Sequence, residues 1–202
     1  MLFRSKGPTA DYKQNTEEYY TIGAKQGMIF SENQDILFLT DFEGVFGLEK
    51  YLKKVKFIIC PDYPHVLHNP SKKYPYTELI KYCKEYGFDG DVFVCQIGST
   101  LGEHNKKYML NIISTFHFAL AFLYNFLDIK GCETYGVCKG QGYHKDIMNL
   151  DFSHAKSGKL KRMFEQHYTK FFKNNGTNMK KQGSHTYSDN NIAIWSKTYM
   201  DY

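Results

Sequence analysis

A chain of 202 residues that is 42% hydrophobic and 23% charged is long and apolar enough to bury one sizeable core, which sets the expectation of a single domain spanning residues 1–202. The net charge of +5, from 26 Lys+Arg against 21 Asp+Glu, leans toward a polyanionic partner but is too small to mark a nucleic-acid footprint by itself. Five cysteines, an odd number set mostly in or beside apolar runs, argue against a disulfide framework and for reduced thiols in a reducing, cytoplasmic setting.

The opening Met1-Leu2-Phe3-Arg4 shows no export-signal pattern, and the longest apolar run, 109–127, is interrupted by Asn111, Ser114, Thr115, His117 and Asn125. Neither export nor a membrane span is expected. The 17 Tyr and 16 Phe, with abundant Lys and Asn, are residues that AT-rich codons encode, so a low-GC viral or plasmid genome accounts for them without a functional cause. A viral origin would put the chain in the host cytoplasm or a virion.

Residues 1–34 are polar and turn-rich (Gly7-Pro8, Gly23, Gly27), with short β-like runs at 19–22 and 28–30, and predict an edge hairpin or arm. The run DILFLTD at 35–41 reads as a buried strand. Residues 42–54 then set Phe46, Leu48 and Leu52 among lysines, as a short amphipathic helix would. VKFIIC at 55–60 is a second strand, and Pro61, Pro64, Pro70 and Pro75 stop regular structure beyond it. Residues 76–86 predict a helix closed by Gly87, 91–97 the next strand, and 105–127 a long helix. A further strand falls in 131–138, a helix basic on one side in 150–174, and an alternating edge strand at 191–199.

Strands alternating with helices predict an α/β, Rossmann-like fold: a mostly parallel sheet with helices on both faces. In such sheets ligands sit beyond the carboxyl ends of the strands. The turn Gly98-Ser-Thr-Leu-Gly102 follows the strand at 91–97 and precedes the helical run, so its backbone can approach a ligand closely. Nucleotides and S-adenosylmethionine bind at turns of this kind, although two glycines also serve simply as a tight connection.

The surroundings of that turn resemble the poxvirus family of cap-specific mRNA 2′-O-methyltransferases, within the wider ribose 2′-O-methyltransferase group. The resemblance is carried by Pro75-Tyr76 ahead of Lys81, by Asp89-Gly90 before the strand, and by Ile97-Gly98-Ser99-x-x-Gly102-x-His104 with Tyr108 after it. Gly140-Gln-Gly-Tyr-His144-Lys-Asp-Ile147 is similar to the family's second-strand loop. It covers residues 73–150 and implies that this half binds the cofactor S-adenosylmethionine, through Gly98, Ser99, Gly102, His104 and Gly140. It further implies RNA, capped mRNA included, as substrate, and a polymerase or capping-complex partner.

That family uses a tetrad of Lys, Asp, Lys and Glu, in which a lysine held near carboxylates steers the weakly nucleophilic ribose 2′-OH toward the methyl sulfonium without a metal. Carried over residue by residue, Lys81 takes the first lysine's place. The strand ending in Asp41 and the strand carrying Lys56 resemble those of the aspartate and the second lysine. Both precede the glycine turn, which implies a circularly permuted motif order. Asn190 stands at the glutamate's place, leaving the neighbouring Asp189 or Glu43 as a substitute, and Lys139 falls near where an acidic cofactor-ribose ligand belongs.

Two rival readings rest on other features. Asp41-Phe-Glu43 at a strand end sets two carboxylates two residues apart, which could hold Mg²⁺ in a nuclease or phosphatase if Asp146 and Asp151 joined them. Alternatively, aromatic and basic residues could form the surface of a non-catalytic RNA-binding or assembly protein. Tyr63, Tyr74 and Tyr76 could stack on a base, or pack as ordinary half-buried surface. The histidines lack zinc-site spacing, and Cys132 and Cys138 are not a usual ligand pair, so no resident metal is expected on the methyltransferase reading.

Overall fold

Short runs of β-branched and aromatic residues form six strands that join in one all-parallel sheet. The computed structural model describes residues 1–5, 10–11, 19–66, 69–73, 75–95, 115–127, 133–136 and 144–148. The strands are β1 (Leu2–Arg4), β2 (Thr21–Ala24), β3 (Gln34–Phe38) and β4 (Val55–Pro61), then, after a small antiparallel pair β5 (His65–Val66) and β6 (Asn69–Lys73), β7 (Asp91–Cys95) and β8 (Glu133–Tyr135). Their order across the sheet is β7-β4-β3-β2-β1-β8. Two helices cover it, α1 (Tyr76–Glu85) and α2 (Thr115–Leu127), and a single helical turn α3 (Lys145–Met148) follows β8.

The period-2 alternation of the strands explains the two faces. Leu37, Leu39, Ile58 and Cys60 point to one side, where they meet Leu79, Ile80 and Cys83 of α1 and Phe42, Phe46, Leu48 and Leu52 of the following turns. Ile36, Phe38 and Ile59 point to the other, joining Phe3 and Ile22 beneath Phe116, Phe118, Phe122 and Leu123 of α2. Phe38 packs edge-on against Phe118 and Phe122, at centroid separations of 5.4 and 5.7 Å. Each such fully buried apolar side chain contributes roughly 1.5–3 kcal/mol. A sheet buried on both faces with helices on each is the expected α/β, Rossmann-like architecture.

Several local expectations are corrected. Residues 1–34 do not form an edge hairpin: β1 and β2 run parallel in the sheet interior, with Phe3 in register with Ile22 on one side and Thr134 on the other. Residues 28–30 are not a strand, because Lys25 adopts a left-handed φ of 52° and turns the chain into a 3₁₀ helix, Lys25–Phe30. Residues 42–54 form two 3₁₀ segments, Phe42–Val45 and Glu49–Lys54, instead of one helix; Gly47, at φ 78°, breaks the α-helical path. The proline-rich stretch after β4 contains the β5-β6 pair, its irregular register absorbing Pro70. Gly87 closes α1 at φ 88°, as a helix-ending glycine does. The remainder of the long helix before Thr115, the basic helix at 150–174 and the strand at 191–199 lie outside the described residues.

The winding fixes where a ligand can sit. From β1 the chain steps through β2, β3 and β4 to β7 in one direction, and β8 returns to the far side of β1. The direction reverses between β1 and β8, which makes their carboxyl ends the topological switch point. The 3₁₀ helix after β2 lies directly against the end of β1: a Cβ built on Gly27 would clash with the Arg4 carbonyl oxygen. Gly27→Ala is therefore expected to destabilise the fold by about 1–3 kcal/mol, read as a lower urea midpoint at unchanged slope. An unchanged midpoint would contradict this packing.

Candidate functional site

Two polar clusters occupy the carboxyl edge of the sheet. In the first, Lys25 Nζ, just past β2, donates to Asp41 Oδ2, just past β3. Both side chains are nearly enclosed, at 13% and 10% exposure, so the pair is shielded from solvent screening. The left-handed backbone at Lys25 is uncommon for a residue with a side chain and costs on the order of 1 kcal/mol or more. Thr40 Oγ1 donates to Asp41 Oδ1 at 3.2 Å and lies 2.6 Å from Thr115 Oγ1, which ties the first residue of α2 to the carboxylate.

The second cluster lies at the switch point. Arg4 ends β1 in register with Tyr135 of β8, and its guanidinium stands 5.8 Å from the centre of the Tyr135 ring. Arg4 is 3% exposed, and its Nη1 donates to the Ala10 carbonyl. Burial lowers the Arg4 pKa from its ordinary value, opposed by Tyr135 and Asp11. His144, 6% exposed, faces the Asp11 carboxylate with Nε2 at 3.1 Å, while its Nδ1 accepts the Asp146 N–H at 3.1 Å. Those partners fix the tautomer with the proton on Nε2. The ring rests edge-on against Phe30 at 4.7 Å.

The predicted site residues divide between locations. Asp41 is at the carboxyl edge. Lys56 is not: its Nζ donates to Asp35 Oδ1 at 2.7 Å, at the amino ends of β3 and β4. The chain from Asp35 to Asp41 spans on the order of 20 Å, so Lys56 and Asp41 face opposite edges and share no cleft. Lys81 is exposed on the solvent side of α1, beside Tyr76, Thr77, Ile80, Lys84 and Glu85. Gly98, Ser99, Gly102, His104, Gly140, Asp189 and Asn190 lie outside the described residues. The strand that leads into the glycine turn, β7, lies at one end of the six described strands and is separated from the Asp41 strand by β4.

For the metal reading, Asp146 sits beside His144 and not beside Asp41, and Asp151 lies outside the described residues. Among the described residues no group of three or more His, Cys, Asp or Glu is arranged to hold a metal ion. Cys60, Cys83 and Cys95 are free thiols; burial pushes Cys60 up to about 12 and Cys95 to about 11, which keeps them protonated and unreactive. Among the described residues no helix is long and apolar enough to cross a membrane.

Sequence reading missed Lys25, Arg4 and Asp11. The available signal was position, since Arg4 and Lys25 each end or directly follow a short apolar run, where ligand-contacting groups gather in parallel sheets. No family model, curated protein or solved structure matches the chain.

At the amino edge, burial opposes ionisation of Asp35, but hydrogen bonds from Lys56 Nζ, the Thr21 N–H and the Thr21 hydroxyl outweigh it and hold the carboxyl below its ordinary value. A lowered carboxyl pKa stabilises the fold above the unfolded-state value of about 4, and that contribution disappears as pH falls through the folded value. Asp35→Asn is expected to be less stable than the parent chain at pH 7, with the difference closing below about pH 4. Urea unfolding across that range checks the sign; a pH-independent difference would contradict it.

Proposed function

We propose that the chain is an S-adenosylmethionine-dependent RNA ribose 2′-O-methyltransferase, or a degenerate relative, acting at the carboxyl edge of its sheet. The observation that carries the reading is the Lys25–Asp41 pair, an ammonium and a carboxylate held together, nearly enclosed, past the ends of adjacent parallel strands. The resembled chemistry needs a lysine fixed by a carboxylate, and Lys25 serves in the role that sequence resemblance gave to Lys56. Hydroxyls of Thr40 and Thr115 complete a donor set suited to a polar, hydroxyl-bearing ligand.

In this reading Asp41 holds the Lys25 ammonium in one orientation, and that ammonium donates a hydrogen bond to the ribose 2′-oxygen. Fixing the acceptor oxygen lowers the entropic cost of reaching the reactive geometry. S-adenosylmethionine would supply the methyl group when bound. The left-handed backbone at Lys25 fits a residue whose position is dictated by function more than by local preference.

The experiment is calorimetric titration with S-adenosylmethionine and S-adenosylhomocysteine without metal, followed by methyl transfer to capped RNA. Micromolar binding is expected, with Lys25→Ala and Asp41→Asn lowering transfer roughly 100-fold or more while cofactor affinity is kept. Absence of cofactor binding would overturn the reading. Retained RNA binding would then favour the non-catalytic assembly protein, and Mg²⁺-dependent loss of RNA or DNA would favour the Asp41/Glu43 nuclease.

The pair also carries a stability consequence. Lys25→Met alone is expected to cost about 3 kcal/mol, because it leaves the Asp41 carboxylate enclosed without its cation, and the Lys25→Met/Asp41→Leu double variant to recover a large part of that loss. Additive losses in denaturant unfolding would show that the two side chains are not coupled.

A further inference from the structure

The Arg4–Asp11–His144 cluster is separate from the Lys25–Asp41 pair. Two hydrogen-bond donors are almost wholly buried there, Arg4 at 3% and His144 at 6% exposure. The anion that faces His144 is not part of the core: Asp11 is 49% exposed and comes from the connection between β1 and β2. Its carboxylate lies 3.1 Å from His144 Nε2, and the carbonyl of the preceding residue, Ala10, accepts a hydrogen bond from Arg4 Nη1. The cluster stands where the winding across the sheet reverses, at the carboxyl ends of β1 and β8.

From this arrangement we infer that the switch point is an oxyanion site, and that the Asp11 carboxylate occupies it in place of the phosphate group of a nucleotide-type ligand. Burying an arginine costs solvation that an anion restores most strongly, beyond what the Ala10 carbonyl and the Tyr135 ring supply, and a guanidinium fork matches the oxygens of a carboxylate or a phosphate in geometry. The Asp146 N–H holds His144 Nδ1, which leaves Nε2 on the side of the Asp11 carboxylate. Asp11 can leave without opening the core, since its side chain is half in solvent. An incoming phosphate carries more negative charge than the carboxylate it replaces and would meet His144 Nε2, with the Arg4 guanidinium beside the Ala10 carbonyl next to it.

The inference does not rest on methyl transfer, since the phosphate group it concerns is absent from S-adenosylmethionine. Its test is anion rescue in the full chain. Asp11→Ala is expected to melt below the parent chain in sodium chloride. Sodium phosphate at matched ionic strength should raise the melting temperature of that variant by about 4 °C or more, and of the parent chain by clearly less. Calorimetry should show adenosine 5′-monophosphate binding Asp11→Ala about tenfold or more tighter than the parent chain, with adenosine weaker than the monophosphate in both. Asp11→Asn, which keeps an acceptor for His144, should behave likewise to a smaller degree, and adding His144→Phe should remove the rescue.

Equal melting shifts in parent and variant, or none in either, would overturn the inference and leave Asp11 as a tie between two loops. Rescue by inorganic phosphate with no gain for the monophosphate over it would overturn the nucleotide part.

Discussion

A parallel sheet requires burial on both of its faces, and that requirement organises the rest of this molecule. The central strands β3 and β4 carry almost uninterrupted apolar runs because each successive side chain faces a different helix layer, α1 on one side and α2 on the other. Polar side chains are thereby driven to the two rims of the sheet. Since all six strands of the main sheet run the same way, every carboxyl end opens on one rim and every amino end on the other. The polar chemistry of the chain is sorted by strand direction before any individual contact forms.

The two rims use their charges differently. At the amino rim Lys56 is largely exposed, and its pairing with Asp35 reinforces the register of β3 on β4 in a setting where solvent weakens ion pairs. At the carboxyl rim Lys25, Asp41 and Arg4 are enclosed, where desolvation is expensive and an unmatched charge is strongly unfavourable. Enclosed charges next to a left-handed lysine and a topological switch point are concentrated on the rim where parallel sheets bind ligands. The contrast in burial separates a solvent-facing ion pair at the amino rim from an enclosed one at the carboxyl rim.

The outer strand β7 shows what happens where two-sided burial ends. Phe93 and Val94 are 49% and 40% exposed, and Phe93 leans against Phe57 and Phe122, whose ring stacks on Phe126 at 5.0 Å. An aromatic seam thus runs from the sheet to the end of α2, recovering part of the burial that the edge position denies. The same position leaves β4 between β7 and the strand that leads to Asp41.

The amino-acid sequence by itself determined the elements whose signals are local. DILFLTD and VKFIIC had to be strands, residues 76–86 had to be a helix ending at Gly87, and the α/β class follows from their alternation, because apolar period and glycine or proline punctuation act within a few residues. It also located Asp41 at a strand end. Only the tertiary structure decided that β1 and β2 are interior parallel strands, since three- and four-residue runs carry no information about direction or neighbours. The same holds for partners: Asp41 meets Lys25, sixteen residues earlier, while Lys56, on a strand that resembled the right one, faces the opposite rim. Asp11 reaches His144 from the other half of the described chain. Strand order and register bring such groups together, and both are set by how apolar faces pack across the whole sheet, a property no short stretch of sequence contains.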